Sequence, residues 1–267
     1  MITAMENIVR DAGKIAVKYH GGLKKADIHF KSEADLVTIA DREVEEYIST
    51  RLKDEYPHIR FVGEESASTA EYRSGEVFVL DPIDGTTNYV HGMPYYGISL
   101  AYLKNGRPEA GVVFAPALGS LYSAQLGGGA YLNGAPIEAS STVEPMHCLA
   151  VTGFINLRAR LQPDNIDTFR HVSYQVRSVL RLGSAALDLC FVADGKIDLF
   201  WEHGLNVWDV AAGALIVQEA GGKVTAMDGG SDYLSGSGGI LAAGSGIHKT
   251  ALSIIRDSSQ GESREQD

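Results

Sequence analysis

Cysteine is almost missing from this chain: Cys148 and Cys190 are the only two in 267 residues. They lie far apart, each among apolar neighbours, which argues against a disulfide framework and for buried thiols in a reducing cytoplasm. Long apolar runs are missing too. Met1 to His20 is interrupted by Glu6, Arg10, Asp11, Lys14 and Lys18, so no secretory leader is expected there, and no stretch of membrane-spanning length follows. Basic residues are scarce, 23 Lys and Arg against 34 Asp and Glu for a net charge of −11. They are scattered rather than gathered on one stripe, which speaks against a nucleic-acid or anionic-membrane surface. The histidines show neither zinc spacing nor a cysteine partner. Leu241 breaks the dinucleotide fingerprint begun at Gly236, His248 stands where a P-loop before Lys249-Thr250 needs glycine, and Gly97 to Ala101 lacks the second glycine of a nucleophile elbow.

What remains is an ordinary globular composition, 45% hydrophobic and 21% charged, in a chain long enough to bury a large core. Ile2, Met5, Ile8, Val9, Ala12, Ile15, Ala16 and Tyr19 recur at helical spacing and predict a first helix stopped by His20-Gly21-Gly22. A second is expected from about Asp41, read as its N-cap, to just before Pro57. β-like runs follow at Ile59 to Gly63, Val77 to Asp81, Ile98 to Leu103, Ala110 to Ala115 and Ser120 to Leu126. The later half mixes short strands with helices at about Asn165 to Tyr174, Ala185 to Ala193 and Val210 to Ala220, a layered α/β pattern. Residues 1–256 read as one catalytic domain, and Asp257 to Asp267 as a frayed polar tail.

Acidic residues collect at the ends of these elements. In Asp81-Pro82-Ile83-Asp84-Gly85-Thr86-Thr87-Asn88 the proline cannot continue a central strand and the glycine permits a tight turn. The chain should leave the sheet there and bring Asp81 and Asp84 together, with the Ile83 carbonyl between them, as hard oxygen donors suited to Mg²⁺. Thr86, Thr87 and Asn88 would add hydroxyls and open N–H groups for a phosphate. Glu64 and Glu65 end another strand, and Asp209 opens a helix, where an N-cap is the plainer explanation. Glu64, Asp81, Asp84 and Asp209 would repel one another by roughly 4 kcal/mol per close pair at an effective dielectric of about 20. Such a pocket needs cations, and cations would let an acidic protein receive a phosphate ester. No activated Ser, Cys or His nucleophile is apparent, which leaves direct attack by water.

Gly63 to Ser66 (GEES), Asp81 to Asn88 (DPIDGTTN) and Gly204 to Asp209 (GLNVWD), in this order, resemble the inositol monophosphatase family. Asp35 to Thr38 with Asp41, Gly129 to Gly134 and Gly183 to Ala186 extend the likeness to about Ile255. The resemblance implies an αβαβα sandwich, a homodimer, and two Mg²⁺ ions held by Glu64, Asp81, the Ile83 carbonyl, Asp84 and Asp209, with Glu65 approaching a third through water. It assigns Thr86 and Asp41 to orienting water, the Gly85 and Thr86 N–H groups to phosphate, and Ala185 and Glu202 to the alcohol; Asp84 and Asp209 also border the substrate. The expected activity is lithium-sensitive hydrolysis of inositol monophosphate. Fructose-1,6-bisphosphatase or broad sugar phosphatase activity is the alternative within the fold, and a regulatory binding protein the alternative outside it. Thr87-Asn88 favours a polyol or sugar phosphate, while Phe154 to Ser178 departs most from the family and obscures the substrate.

Overall fold

The computed structural model describes residues 1–30, 36–66, 71–236 and 238–261. The chain opens with helix α1 (Ile2–Tyr19), strands β1 (Ile28–Phe30) and β2 (Leu36–Thr38), and helix α2 (Ile39–Glu55). Strands β3 (Arg60–Gly63) and β4 (Glu76–Asp84) follow, then the short helix α3 (Thr86–Val90) and strands β5 (Gly97–Lys104), β6 (Arg107–Ala115), β7 (Ser120–Gln125), β8 (Ala130–Leu132) and β9 (Ala135–Pro136). Beyond them come β10 (Leu149–Thr152), α4 (Ile155–Ala159), α5 (Ile166–Ser173), β11 (Ser178–Leu180), α6 (Ala185–Ala193) and β12 (Leu199–Glu202). The chain ends with α7 (Val207–Glu219), β13 (Lys223–Thr225), β14 (Ile240–Ala243) and α8 (His248–Gly261).

β3 to β9 form a seven-stranded sheet in sequence order, and β11-β10-β12-β14-β13 a five-stranded one. α1 and α2 cover one face of the larger sheet, α6 and α7 lie between the two sheets, and α5 and α8 cover the far face of the smaller. These are the five layers of an αβαβα sandwich. Strand alternation shows how the sequence builds them. In β4, Val77 and Val79 join the central core while Phe78 and Leu80 join the core beneath α1 and α2. In β12, Phe200 joins the central core while Leu199 and Trp201 face the core under α5 and α8. α7 is buried between two sheets and is accordingly apolar all round, not amphipathic. Its small residues let β6 approach closely: a Cβ on Gly111 would sit 2.9 Å from the Ala212 Cα.

Three expectations need correction. α2 begins at Ile39 with Thr38 as N-cap, and α7 at Val207 with Asn206 in that position; Asp41 and Asp209 are each the third helical residue of a capping box. β4 does not stop at Pro82 but runs to Asp84 through an irregularity between Asp81 and Asp84. Proline is tolerated because β3 pairing ends at Leu80, which leaves that side of β4 without a ladder. The tail expected from Asp257 is helical as far as Gly261, and residues 262–267, like Asp35, lie outside the described residues.

Candidate active site

A cavity of about 360 Å³ opens where the ends of β4, β12 and α7 meet α4 and the start of α6. Its floor begins with β3 and β4. The Glu64 N–H donates to the Leu80 carbonyl at 3.0 Å, which carries Glu64 alongside Asp81. The Ile83 N–H donates to Asp81 Oδ1 at 2.9 Å, closing the irregular turn of the strand on its own acid. Gly85 then turns the chain at φ 92°, where a Cβ would also approach the Gly183 carbonyl at 3.0 Å, and α3 starts at Thr86. Thr86 Oγ1 donates to the Ile83 carbonyl at 3.0 Å.

Asp84 faces α6. Its Oδ2 accepts from Ser184 Oγ at 2.6 Å and from the Ala186 N–H at 2.7 Å. Burial pushes its carboxyl up to about 6 even so, with those donors working against the rise. Asp209 Oδ2 accepts from the Asn206 N–H at 2.6 Å. Burial, then Glu64 and Asp84, hold Asp209 well above the usual carboxylate range; Asp81 is raised by burial, then by Glu64, Asp84, Asp209 and Asp41.

Asp41 and Glu65 are not on the cavity wall. Asp41 is 1% exposed, and its Oδ2 accepts from the Thr38 N–H at 2.9 Å and Thr38 Oγ1 at 2.5 Å. Burial pushes it up to about 7 despite these donors. The Glu65 N–H donates to Glu45 Oε2 at 2.9 Å. Glu45 is a buried acid that the sequence reading passed over, although it stands one helical turn after Asp41 on α2.

Gly85, Thr86, Ala185 and Glu202 all line the cavity. Glu202 ends β12, and its Oε1 accepts from the Ile155 N–H at 3.3 Å. Burial pushes it up to about 8, against that bond and the fields of Arg181 and Arg158. Asn88 does not serve as a phosphate donor through its side chain: its Nδ2 donates to the Tyr95 and Leu182 carbonyls, both at 2.8 Å, and ties α3 to the approach to α6. Two further wall residues were missed. Asp188, 1% exposed on α6, accepts from Tyr95 Oη at 2.7 Å, and a Cβ on Gly153 would overlap the Glu202 carboxylate. Only the small-residue position Gly153 and the acid inside the apolar run of α6 signalled them.

As the side chains stand, no three His, Cys, Asp or Glu groups among the described residues converge on one metal-sized point. Asp84 is turned to its α6 donors and Asp209 to Asn206. The chemistry nevertheless fits a hard divalent cation, because every candidate donor is oxygen and Asp81 and Asp209 are held above the usual carboxylate range by burial and by neighbouring acids, which nearby positive charge would relieve.

The sequence profile described as the inositol monophosphatase family matches residues 1–260. The chain is 34% identical over 256 residues to an inositol-1-monophosphatase of Mesorhizobium japonicum, covering 96% of each. It is 36% identical over 256 residues to a protein of Pasteurella multocida named Nus factor SuhB, again covering 96% of each. The crystal structure of the extragenic suppressor protein suhB from Bartonella henselae superposes with a TM-score of 0.87 at 34% identity, over 95% of this chain and 97% of that one. An inositol monophosphatase structure from Anabaena gives 0.84 at 33% identity, over 96% and 94%. In sequence, in fold and in the order of its acidic motifs, the chain belongs to the inositol monophosphatase family.

Proposed function

We propose that this protein is a Mg²⁺-dependent phosphomonoester hydrolase acting on a small polyol phosphate, with inositol monophosphate as the reference substrate and a sugar bisphosphate as the alternative. The observation that carries this is the gathering of Glu64, Asp81, Asp84 and Asp209 on one cavity wall, where burial and then the neighbouring acids raise Asp81 and Asp209. Relieving that repulsion requires positive charge. In this reading Glu64, Asp81, Asp84, Asp209 and the Ile83 carbonyl hold two Mg²⁺ ions, and Glu65 approaches a third through water. The ions would lower the pKa of attacking water and neutralise charge on the leaving alcohol.

The protein's own groups do the rest. The Gly85 and Thr86 N–H groups receive the phosphate where the chain turns into α3. Thr86, whose hydroxyl reaches the Ile83 carbonyl and which lines the cavity, orients the attacking water, with Asp41 set behind the wall on Thr38. Glu202 and Ala185 meet the alcohol. A homodimer in the cytoplasm completes the proposal; no helix among the described residues is long and apolar enough to cross a membrane.

The test is phosphate release from myo-inositol 1-phosphate and from fructose 1,6-bisphosphate, with Mg²⁺, with chelator and with Li⁺. Activity that needs Mg²⁺ and falls with Li⁺ is expected; undiminished activity after exhaustive chelation would overturn it. Relatives named Nus factor SuhB support a second, regulatory reading. The enzymatic one stands first because a purely regulatory surface has no physical need for buried, mutually repelling acids.

A further inference from the structure

The last register pair between β10 and β12 is Thr152 with Trp201. Just past it lie Gly153, whose missing side chain leaves room for the Glu202 carboxylate, and on the other strand Glu202 followed by His203. A buried asparagine stands across this gap. Asn165, 2% exposed, donates through Nδ2 to the Gly153 carbonyl and, at 3.0 Å, to Thr152 Oγ1, and its Oδ1 accepts from the His203 N–H at 3.3 Å. Thr152 Oγ1 continues the chain by donating to the Trp201 carbonyl at 2.6 Å. Both ends of the Asn165 amide are thus committed to the two strand ends. The partners also fix which way round the amide lies, because a flip would set its oxygen against the Gly153 carbonyl and its NH₂ against the His203 N–H.

An asparagine at the start of a helix is ordinarily its cap. That account fails here. Asn165 occupies the N-cap position of α5, yet its side chain makes no capping bond; Asp164 supplies one instead, its Oδ1 accepting from the Ile166 N–H at 2.9 Å. With α5 served by its neighbour, the Asn165 side chain is turned wholly to β10 and β12. What it holds there is the surroundings of Glu202. Gly153, which the carboxylate abuts, and His203, the residue after Glu202, are bonded to the same amide. Glu202 Oε1 in turn accepts from the Ile155 N–H, two residues beyond Gly153. Without the amide, Gly153 and His203 lose their common tether, and a backbone carbonyl and N–H lose their partner. Asn165 itself is not on the cavity wall.

We propose that Asn165 is a positioning residue of the cavity: it fixes the gap between the ends of β10 and β12 and so holds Glu202 where it meets substrate hydroxyls. This rests on the phosphomonoesterase reading, in which Glu202 meets the alcohol. It puts control of alcohol selection on a residue that touches no substrate.

The test compares Asn165→Ala with the wild type on myo-inositol 1-phosphate and on 4-nitrophenyl phosphate, each with Mg²⁺; Asn165→Ser reads the same quantities should the alanine variant fail to fold. For the inositol ester kcat/KM should fall about tenfold or more, chiefly through KM, while the aryl ester changes by less than about threefold. On a Glu202→Gln background the further loss from Asn165→Ala should shrink to less than about threefold, because the two residues act as a unit. No loss, or an equal loss on both esters, overturns the proposal, since a general loosening of the fold does not choose between alcohols. So does a full, additive loss on the Glu202→Gln background, which would mean that Asn165 acts through another group. Should the wild type hydrolyse neither ester, the enzymatic reading fails on its own. The crystal structure of Asn165→Ala then decides the positioning, with Glu202 moved off the Ile155 N–H supporting it and Glu202 unmoved overturning it.

Discussion

Ser184 Oγ donates to Asp84 Oδ2 at 2.6 Å, joining residues 100 apart in sequence and fastening the end of β4 to the start of α6. The same hydroxyl caps α6 by accepting from the Leu187 N–H at 3.4 Å. Ser184→Ala should therefore act on both stability and activity. Loss of the cap costs about 1 kcal/mol, visible as a lower melting temperature. Freeing Asp84 should reduce phosphate release by roughly 10-fold to 100-fold, the usual cost of losing a group that orients a metal ligand. A variant that melts earlier but turns over normally would reduce Ser184 to a helix cap.

Asp84→Asn should reduce turnover by more than about 100-fold, because it removes a ligand's charge rather than a ligand's support. The amide oxygen can still accept from Ser184 and Ala186, so the fold should survive. In chelator the variant should melt higher than the parent, since a buried acid raised by its surroundings has been replaced with a neutral group. Retained activity would leave Asp84 as a turn residue.

Glu202 sets the sign of a pH dependence. Its carboxyl titrates near 8 in the fold against roughly 4.3 in an unfolded chain, so between these values the folded protein binds the extra proton. Its contribution to stability is full below about 4.3 and lost as pH rises toward 8. Asp41, at about 7, works in the same direction. In chelator the urea midpoint should fall as pH is raised from about 5 to 8, and Glu202→Gln should flatten that slope. A slope unchanged in the variant would show that Glu202 is not the titrating group. If cations bind as proposed, their charge would lower the pKa of Glu202 and ionise it for work on substrate hydroxyls. With Mg²⁺ the same variant should then lose roughly 10-fold to 100-fold in kcat/KM on polyol phosphates and little on an aryl phosphate.

Gly153 leaves the space that Glu202 occupies, and a methyl group there would overlap the carboxylate. Gly153→Ala should push Glu202 off the wall, raising KM for polyol phosphates about tenfold or more while aryl phosphate hydrolysis changes less. Equal kinetics on both would mean that the backbone yields instead.

The acidic wall of the cavity was legible in the sequence because its residues are local: Asp81 to Thr86 lie on one turn, and the acids at Glu64 and Asp209 sit at recognisable element ends. A layered α/β pattern was legible in the mix of strands and helices, and the five layers only through the family likeness. The opposite wall was legible only at Ala185 and Glu202, through the family likeness. Arg158, Arg181, Asp188 and Gly153 lie on four different segments, and nothing local in their neighbourhoods indicates that these face one space. Helix starts were misjudged at Asp41 and Asp209 for a related reason. An acid at the third helical position looks like an N-cap until the preceding Thr38 or Asn206 is seen to hold the true one.

The cavity draws its wall chiefly from two stretches of chain, residues 64–87 and residues 153–209. Mutations in α4 and the loops around it can accumulate without disturbing the acids that would do the chemistry. In the proposed reading, changes on α4 would alter which alcohol fits while Glu64, Asp81 and Asp84 stay in place, so substrate choice and hydrolysis could be varied separately.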